Sequence, residues 1–337
     1  MTRSRRSRRG PTVHDVARRA GVSQPTVSLV LSGHPTARVA PATRERVRRA
    51  AEELGYRPNV VARGLQQGRS YALGIIVSDL RNPFSIDVVS GAERVAAKEG
   101  YAVLLCDARE RPVQAHLEEL HARFIDGVIV EAGGAAVTLQ SQPHDRNLVL
   151  IDEPAALLPT VLADIEAAGR LAAQHLIQLG HRSIGFIGPA ADLFRYRMME
   201  RAFVRVLREN VLPIRSDWLR RTSATAPGGE QTMRALLAQR HRPTAVFCAN
   251  DLIAIGALKA CAAQQISVPD QMSVMGCDDI EMARLVMPEL TTIALPAREM
   301  GARAARLLIR RLTGQTSDRS PRPLPARLVV RGSTGRI

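Results

Sequence analysis

The residues best suited to chemistry in this chain are short, polar and suited to binding. Ser23, Gln24, Thr26, Ser28 and Ser32 fall within residues 23–32 with no acid among them. Hydroxyls and amides of this kind bond phosphate oxygens and base edges, whereas a face turned only to water normally carries Glu and Lys. Around them lies a concentration of positive charge. Residues 1–69 hold 15 arginines against Asp15, Glu45, Glu52 and Glu53, a net charge of +11. Residues 70–296 come to −4 and residues 297–337 to +8. A polyanion is the partner that such a first module fits, and double-stranded DNA is the one its polar face suits.

Groups elsewhere in the chain do not assemble a catalyst. No GxSxG, no GxGxxG after a strand, no HExxH and no phosphate loop occurs, so neither an enzyme nor a cofactor or metal is expected. Cys106, Cys248, Cys261 and Cys277 lie far apart without a CxxC pair and read as buried thiols of a reducing compartment. His175 and His181 sit around a helix end and read as structural. Polar groups that follow apolar runs are of more interest: the loop Ser78 to Ser85, then Asn250 with Asp251, then Asp278. Asn and Asp in such places serve either as helix caps or as ligand contacts.

The elements that must position these groups can be read from periodicity. Val13, Val16, Ala17 and Ala20 form a helical stripe, opened by Thr12 with Asp15 as an acidic capping-box partner and broken by Gly21. Ser23 caps a second short helix buried through Val27, Val30 and Leu31, and Gly33 ends it. Val47, Ala50, Ala51 and Leu54 mark a third, without a cap serine because Ala40 stands there. Helix, glycine turn and short helix form the helix-turn-helix, whose second helix enters the major groove. An arginine-rich surface hairpin would share the stripes but not the acid-free polar face.

With 337 residues, 45% of them apolar, the chain has material for about two domains. Apolar runs at 72–77, 102–105, 127–130, 148–151, 183–187, 245–248 and 273–276 alternate with helical stretches such as 86–98, 167–179, 198–207 and 252–263. That alternation means parallel sheets built from βαβ units, with ligands beyond the carboxyl ends of the strands. Leu328 to Arg331 reads as a last strand. No apolar run is long enough to span a membrane. The arginines before Gly10 resemble an export signal, but His14, Asp15, Arg18 and Arg19 stand where its apolar stretch belongs, so a cytoplasmic protein is expected.

Thr12 to Ala17, Gly21 to Ser28, Thr43 to Val47 and Leu54 to Asn59 together resemble the LacI/GalR-type transcription regulators, the lactose-repressor family. The likeness continues through Asn82-Pro83-Phe84, Asp126-Gly127, Gly180-His181-Arg182, Pro243-Thr244-Ala245, Ala249-Asn250-Asp251, Asp278-Asp279-Ile280 and Pro288 to Thr292. It implies an α/β fold: an N-terminal helix-turn-helix three-helix domain and a two-lobed parallel α/β periplasmic-binding-protein-like domain. The implied divisions are a basic arm at 1–11, the DNA-binding domain at 12–57, a hinge helix or linker at 58–70 and an effector-binding and dimerisation domain at 71–337. Its lobes comprise 71–161 with 293–320, and 162–292 with 321–331.

The resemblance also assigns roles. Gln24, Pro25 and Leu29 occupy the base-reading positions, while Ser23, Thr26, Ser28 and Ser32 hold phosphates; His14 is either a phosphate contact or solvated. In the hinge, Asn59, Ala62 and Leu65 belong to a helix that forms on the operator, with Leu65 wedged between base pairs. For a small-molecule effector (a sugar, nucleoside or other metabolite), the matching positions are Asn82, Phe84 and Ser85 on one lobe and Asn250 and Asp278 on the other. One position departs: the arginine expected three residues before a Gly-aromatic pair is Met199, leaving Arg195 and Arg197 as its substitutes. Trp218 reads as ring-stacking or as packing. The implied protein is a repressor that binds a palindromic operator as a homodimer. Without leucine heptads after Arg310, no coiled-coil tetramer is expected.

Overall fold

The computed structural model describes residues 10–31, 39–57, 68–131, 133, 147–315 and 322–337. Ser32, the arginines up to residue 9 and the hinge positions Asn59, Ala62 and Leu65 lie outside the described residues. The chain divides into two compact units, Met1–Ser70 and Tyr71–Ile337.

The first unit holds α1 (Val13–Ala20), α2 (Gln24–Leu31) and α3 (Pro41–Leu54). At the start of α1, Thr12 Oγ1 accepts from the Asp15 amide at 3.4 Å and Asp15 accepts from the Thr12 amide at 3.0 Å, closing a capping box. Gly21, with φ 64°, ends α1 in the left-handed conformation that glycine tolerates. Ala40 gives α3 no side-chain cap, and the helix opens on Pro41. Val16, Val27 and Val47, one from each helix, are fully buried against one another's helices, with Ala17, Ala20, Ala50 and Ala51 filling the gaps.

The second unit contains two sheets. β1 (Ala72–Val77), β2 (Ala102–Asp107), β3 (Gly127–Glu131), β4 (Leu148–Ile151) and β5 (Thr160–Val161) form the first, in the order β2-β1-β3-β4-β5. β6 (Ile184–Pro189), β7 (Leu219–Thr222), β8 (Ala245–Cys248), β9 (Ser273–Asp278), β10 (Thr291–Ala294) and β11 (Arg327–Val329) form the second, ordered β11-β10-β9-β8-β6-β7. Every pairing is parallel except β10 with β11. Strands buried on both faces, such as β3 and β9, read as unbroken apolar runs for that reason.

Helices cover both sheets: α4 (Pro83–Lys98), α5 (Val113–Ala122) and α10 (Ala297–Leu312) on the first, and α6 (Ile165–Gln178), α7 (Phe194–Glu209), α8 (Ala226–Leu237) and α9 (Asp251–Ala263) on the second. α4 and α10 cross backbone against backbone. A Cβ on Gly91 would lie 1.9 Å from the Arg298 carbonyl oxygen, and one on Gly301 1.9 Å from that of Val88.

The chain passes between the lobes three times, at 162–164, 295–296 and 322–326, and Ala163 and Leu324 bridge where two passages meet. The second lobe keeps the whole of β10, because Ala294 pairs with Asp278 of β9, so the break falls after Ala294 and not after residue 292. Residues 332–337 belong to that lobe as well: Thr334 Oγ1 meets His175 Nε2 at 2.9 Å, and His181 joins Thr244 at 3.0 Å and Ser273 at 2.9 Å. Both histidines are held below their usual pKa by burial and act as structural ties. Cys248, Cys261 and Cys277 are buried free thiols, while Cys106 on the edge strand β2 is only partly covered.

Candidate functional site

On α2 the small core takes Val27 and Val30 inward, which turns Gln24, Pro25, Ser28 and Leu29 outward. Leu29 remains 43% exposed, high for a large apolar side chain. Ser23 Oγ accepts from the Thr26 amide at 3.4 Å and lies 2.9 Å from Thr26 Oγ1, so this pair caps the helix and keeps both hydroxyls at its N-terminal end. The first turn of this helix carries no acid to repel an anion. His14 is exposed on α1, its Nδ1 accepting from Arg18 at 3.0 Å.

A second site lies between the lobes, where the carboxyl ends of the two sheets face each other. Ser78, Asn82, Glu131, Asp152 and Glu153 line it from the first lobe; Leu193, Phe194, Arg195 and Tyr196 line it from the second. Arg195 stands at its centre. Its Nη1 lies 3.1 Å from Asp152 Oδ2 across the cleft, and its Nη2 donates to Asp278 Oδ1 at 2.9 Å. The guanidinium lies over the Phe84 ring at 4.6 Å and over the Tyr196 ring at 5.1 Å, positions that favour a cation. Glu131 accepts from Ser85 Oγ at 2.8 Å and from the Ser78 amide at 3.4 Å. As it stands the cavity measures about 30 Å³, room for a water or two, so a metabolite enters only if the lobes part.

Burial dominates the electrostatics. It pushes Glu131 and Asp278 up to about 7, with the Ser85 hydrogen bond opposing it at Glu131 and the charge of Arg195 opposing it at Asp278. Asp152 is also raised by burial, and Tyr196 is pushed up to about 12. For Arg195 burial disfavours the charge, but Asp152, Tyr196 and Asp278 outweigh it and keep the guanidinium protonated. Asp152 and Asp278 adopt φ of 59° and 119°, conformations uncommon outside glycine and frequent where function demands them.

Of the effector positions read from the sequence, Asn82 and Arg195 line this cavity, while Phe84 and Asp278 touch Arg195 and Ser85 bonds Glu131 from behind. Asn82 caps α4 through the Phe84 amide at 3.1 Å while lining the cavity. Asn250 caps α9, accepting from the Ile253 amide at 2.8 Å; it does not line the cavity, although its buried Nδ2 has no partner. Arg197 points elsewhere, is half exposed and pairs with Asp192 at 3.0 Å. Met199 is buried in the core, and Trp218 is a packing residue whose Nε1 donates to the His241 carbonyl at 2.9 Å. Asp251 is not the cap, a role Asn250 takes: as the first helical residue it accepts from Thr292 Oγ1 at 2.6 Å and the Ile280 amide at 2.9 Å, in space a Cβ on Gly276 would take. Glu131, Asp152, Glu153 and Tyr196 escaped the sequence reading. The first two close apolar strand runs, and an acid at the carboxyl end of a parallel strand is the signal that marks them.

Residues 12–59 match the family model described as bacterial regulatory proteins, lacI family, and residues 173–334 match that of a periplasmic binding protein-like domain. The chain is similar to catabolite control protein A of Priestia megaterium, 32% identical over 330 residues that cover 96% of this chain and 99% of the relative. It is similar also to the HTH-type transcriptional repressor CytR of Escherichia coli K12, 36% identical with 96% of each covered. Among solved structures it is similar to the lac repressor dimer bound to operator and the anti-inducer ONPF, with a TM-score of 0.88 at 27% identity over 97% of this chain and 100% of that one. A complex of the transcriptional regulator CelR with cellobiose gives 0.72 at 29% identity, covering 96% and 99%. Among the described residues no helix is long and apolar enough to cross a membrane.

Proposed function

The chain belongs to the lacI family of bacterial regulatory proteins, and on that premise we propose that it is a homodimeric repressor of a palindromic operator, switched by a small molecule held between its lobes. It is a transcription regulator and not an enzyme, with a DNA-binding helix-turn-helix and an effector-binding periplasmic-binding-protein-like domain.

In this reading α2 enters the major groove. Gln24 pairs with a base edge, Pro25 packs at the first turn and Leu29 meets a thymine methyl, while Ser23, Thr26, Ser28 and Ser32 hold phosphates. His14 adds a phosphate contact. Asn59, Ala62 and Leu65 belong to a hinge helix that forms on the operator, with Leu65 as the wedge. The protein acts in the cytoplasm, beside the DNA it controls. Relatives lend this weight: a lac repressor dimer was solved on its operator, and CelR with cellobiose.

The observation that carries the switch is Arg195, which touches Asp152 on one lobe and Asp278 on the other. A ligand that displaces the guanidinium changes how the lobes meet and thereby biases two hinge helices. Coupling of this kind is worth about 1–3 kcal/mol. The DNA half is tested by selecting operator sequences with the wild-type protein and Gln24→Ala. The expected wild-type profile is an inverted repeat, and Gln24→Ala should relax one symmetric pair of positions. An unchanged profile refutes base reading by Gln24.

A further inference from the structure

The cleft holds more carboxyl groups than its single cation can engage. Glu131, Asp152 and Glu153 line it and Asp278 stands behind Arg195, and each of the five side chains belongs to a residue no more than 9% exposed. Arg195 is already engaged by Asp152 and Asp278. Glu153 Oε2 is nonetheless buried without a hydrogen bond, and so is Arg195 Nε, whereas Asp152 Oδ2 is held by Arg195 Nη1. Buried polar atoms left unpaired are costly, and a native protein tolerates them where a partner is to arrive. One acceptor and one donor therefore wait in a cavity lined by the aromatic residues Phe194 and Tyr196.

Carboxylates beside aromatic faces attract an ammonium group. A phosphate or carboxylate would meet like charges here, with the one guanidinium committed. An inorganic cation is not the answer, since among the described residues no three such groups converge closely enough to hold a metal ion. Resting on the reading of this cleft as the effector site, we propose that the effector is a hydroxylated metabolite bearing a protonated amine, of the amino-sugar class. Its ammonium satisfies Glu153, and a neighbouring hydroxyl oxygen accepts from Arg195 Nε.

The test uses the full-length protein in thermal melting and calorimetric titration at pH 7. The probes are glucosamine, galactosamine and 3′-amino-3′-deoxyadenosine, each beside its N-acetylated, hydroxyl-for-amine and phosphorylated counterparts. We expect stabilisation by an amine-bearing member, with at least tenfold weaker binding of its three counterparts. Equal or tighter binding of a neutral or phosphorylated counterpart overturns the amine and leaves the cleft as the effector site. A panel without any shift overturns the proposal. Glu153→Gln then decides the fate of the site itself. If the cleft is built for a ligand, removing this buried charge raises the ligand-free melting temperature; a lowered one makes Glu153 a structural group and removes the effector reading with it.

Discussion

Arg195 combines three demands that no other side chain meets: permanent charge, a planar face for Phe84 and Tyr196, and separate donors for Asp152 and Asp278. Lysine keeps the charge but offers a single nitrogen. Arg195→Lys should cost about 1–3 kcal/mol in urea unfolding, the usual worth of a buried hydrogen bond to a charged group, and should weaken any ligand response; an unchanged midpoint would mean that the bridge carries no weight. The raised carboxylates make a second prediction. Glu131, Asp251 and Asp278 have folded pKa values of about 7, above their unfolded values near 4, so the stability gained by protonating them is complete below the unfolded pKa and is lost as pH rises through the folded one. Stability should rise as pH falls from 8 to 6.5, by up to about 1 kcal/mol per pH unit for each group. Below 6.5 the buried neutral His175 and His181 oppose this, because their unfolded forms take up protons first. Melting curves across pH 6.5–8 check it, and Glu131→Gln should flatten the slope. A melting temperature that climbs towards pH 8 contradicts the assignment.

At the level of elements, legibility followed burial. β1, β4 and β8 are apolar from end to end and were marked residue for residue by their sequence, because both faces are covered. β7, Leu-Arg-Arg-Thr, is a half-buried edge strand with two arginines, and β5 has two residues, so neither carries an apolar run to notice. α8 opens on Ala226-Pro-Gly-Gly, which reads as a turn; Thr225 caps it, Pro227 fits its first turn, and Gly229 is a contact, since a Cβ there would lie 2.1 Å from the Ile253 carbonyl oxygen. The site was half legible for the same reason. Asn82, Phe84, Ser85 and Asp278 belong to recognisable motifs, whereas Asp152 and Glu153 follow a strand with no motif around them, and only folding brings them to Arg195. Arg195 and Arg197 are two apart on one helix, and only the packing of α7 decides which faces the cleft. Close helix contact yields its own prediction. Gly301→Ala drives a Cβ into the Val88 carbonyl, so α4 and α10 must separate at a cost of about 1–3 kcal/mol or more. Chemical denaturation measures it, and a neutral substitution would show that the helices do not cross so tightly.

For the molecule as a whole, the proposed switch requires that a segment between head and body respond to both. Leu65→Ala should weaken operator binding far more than binding to random DNA in gel-shift titrations, because a wedge matters only on the bent specific site; equal losses would reduce the hinge to a tether. The three passages between the lobes also set a timetable for synthesis. The head needs nothing beyond its own valines and alanines, so it can fold as soon as it clears the ribosome. The first lobe cannot do the same. Its α4 is made early, but the helix that covers it, α10, ends at Leu312, roughly 200 residues later. At ~5–20 residues per second that apolar surface stays open for about ten seconds or more. A chain cut short in this interval would carry a complete head on a body whose α4 still lacks its covering helix.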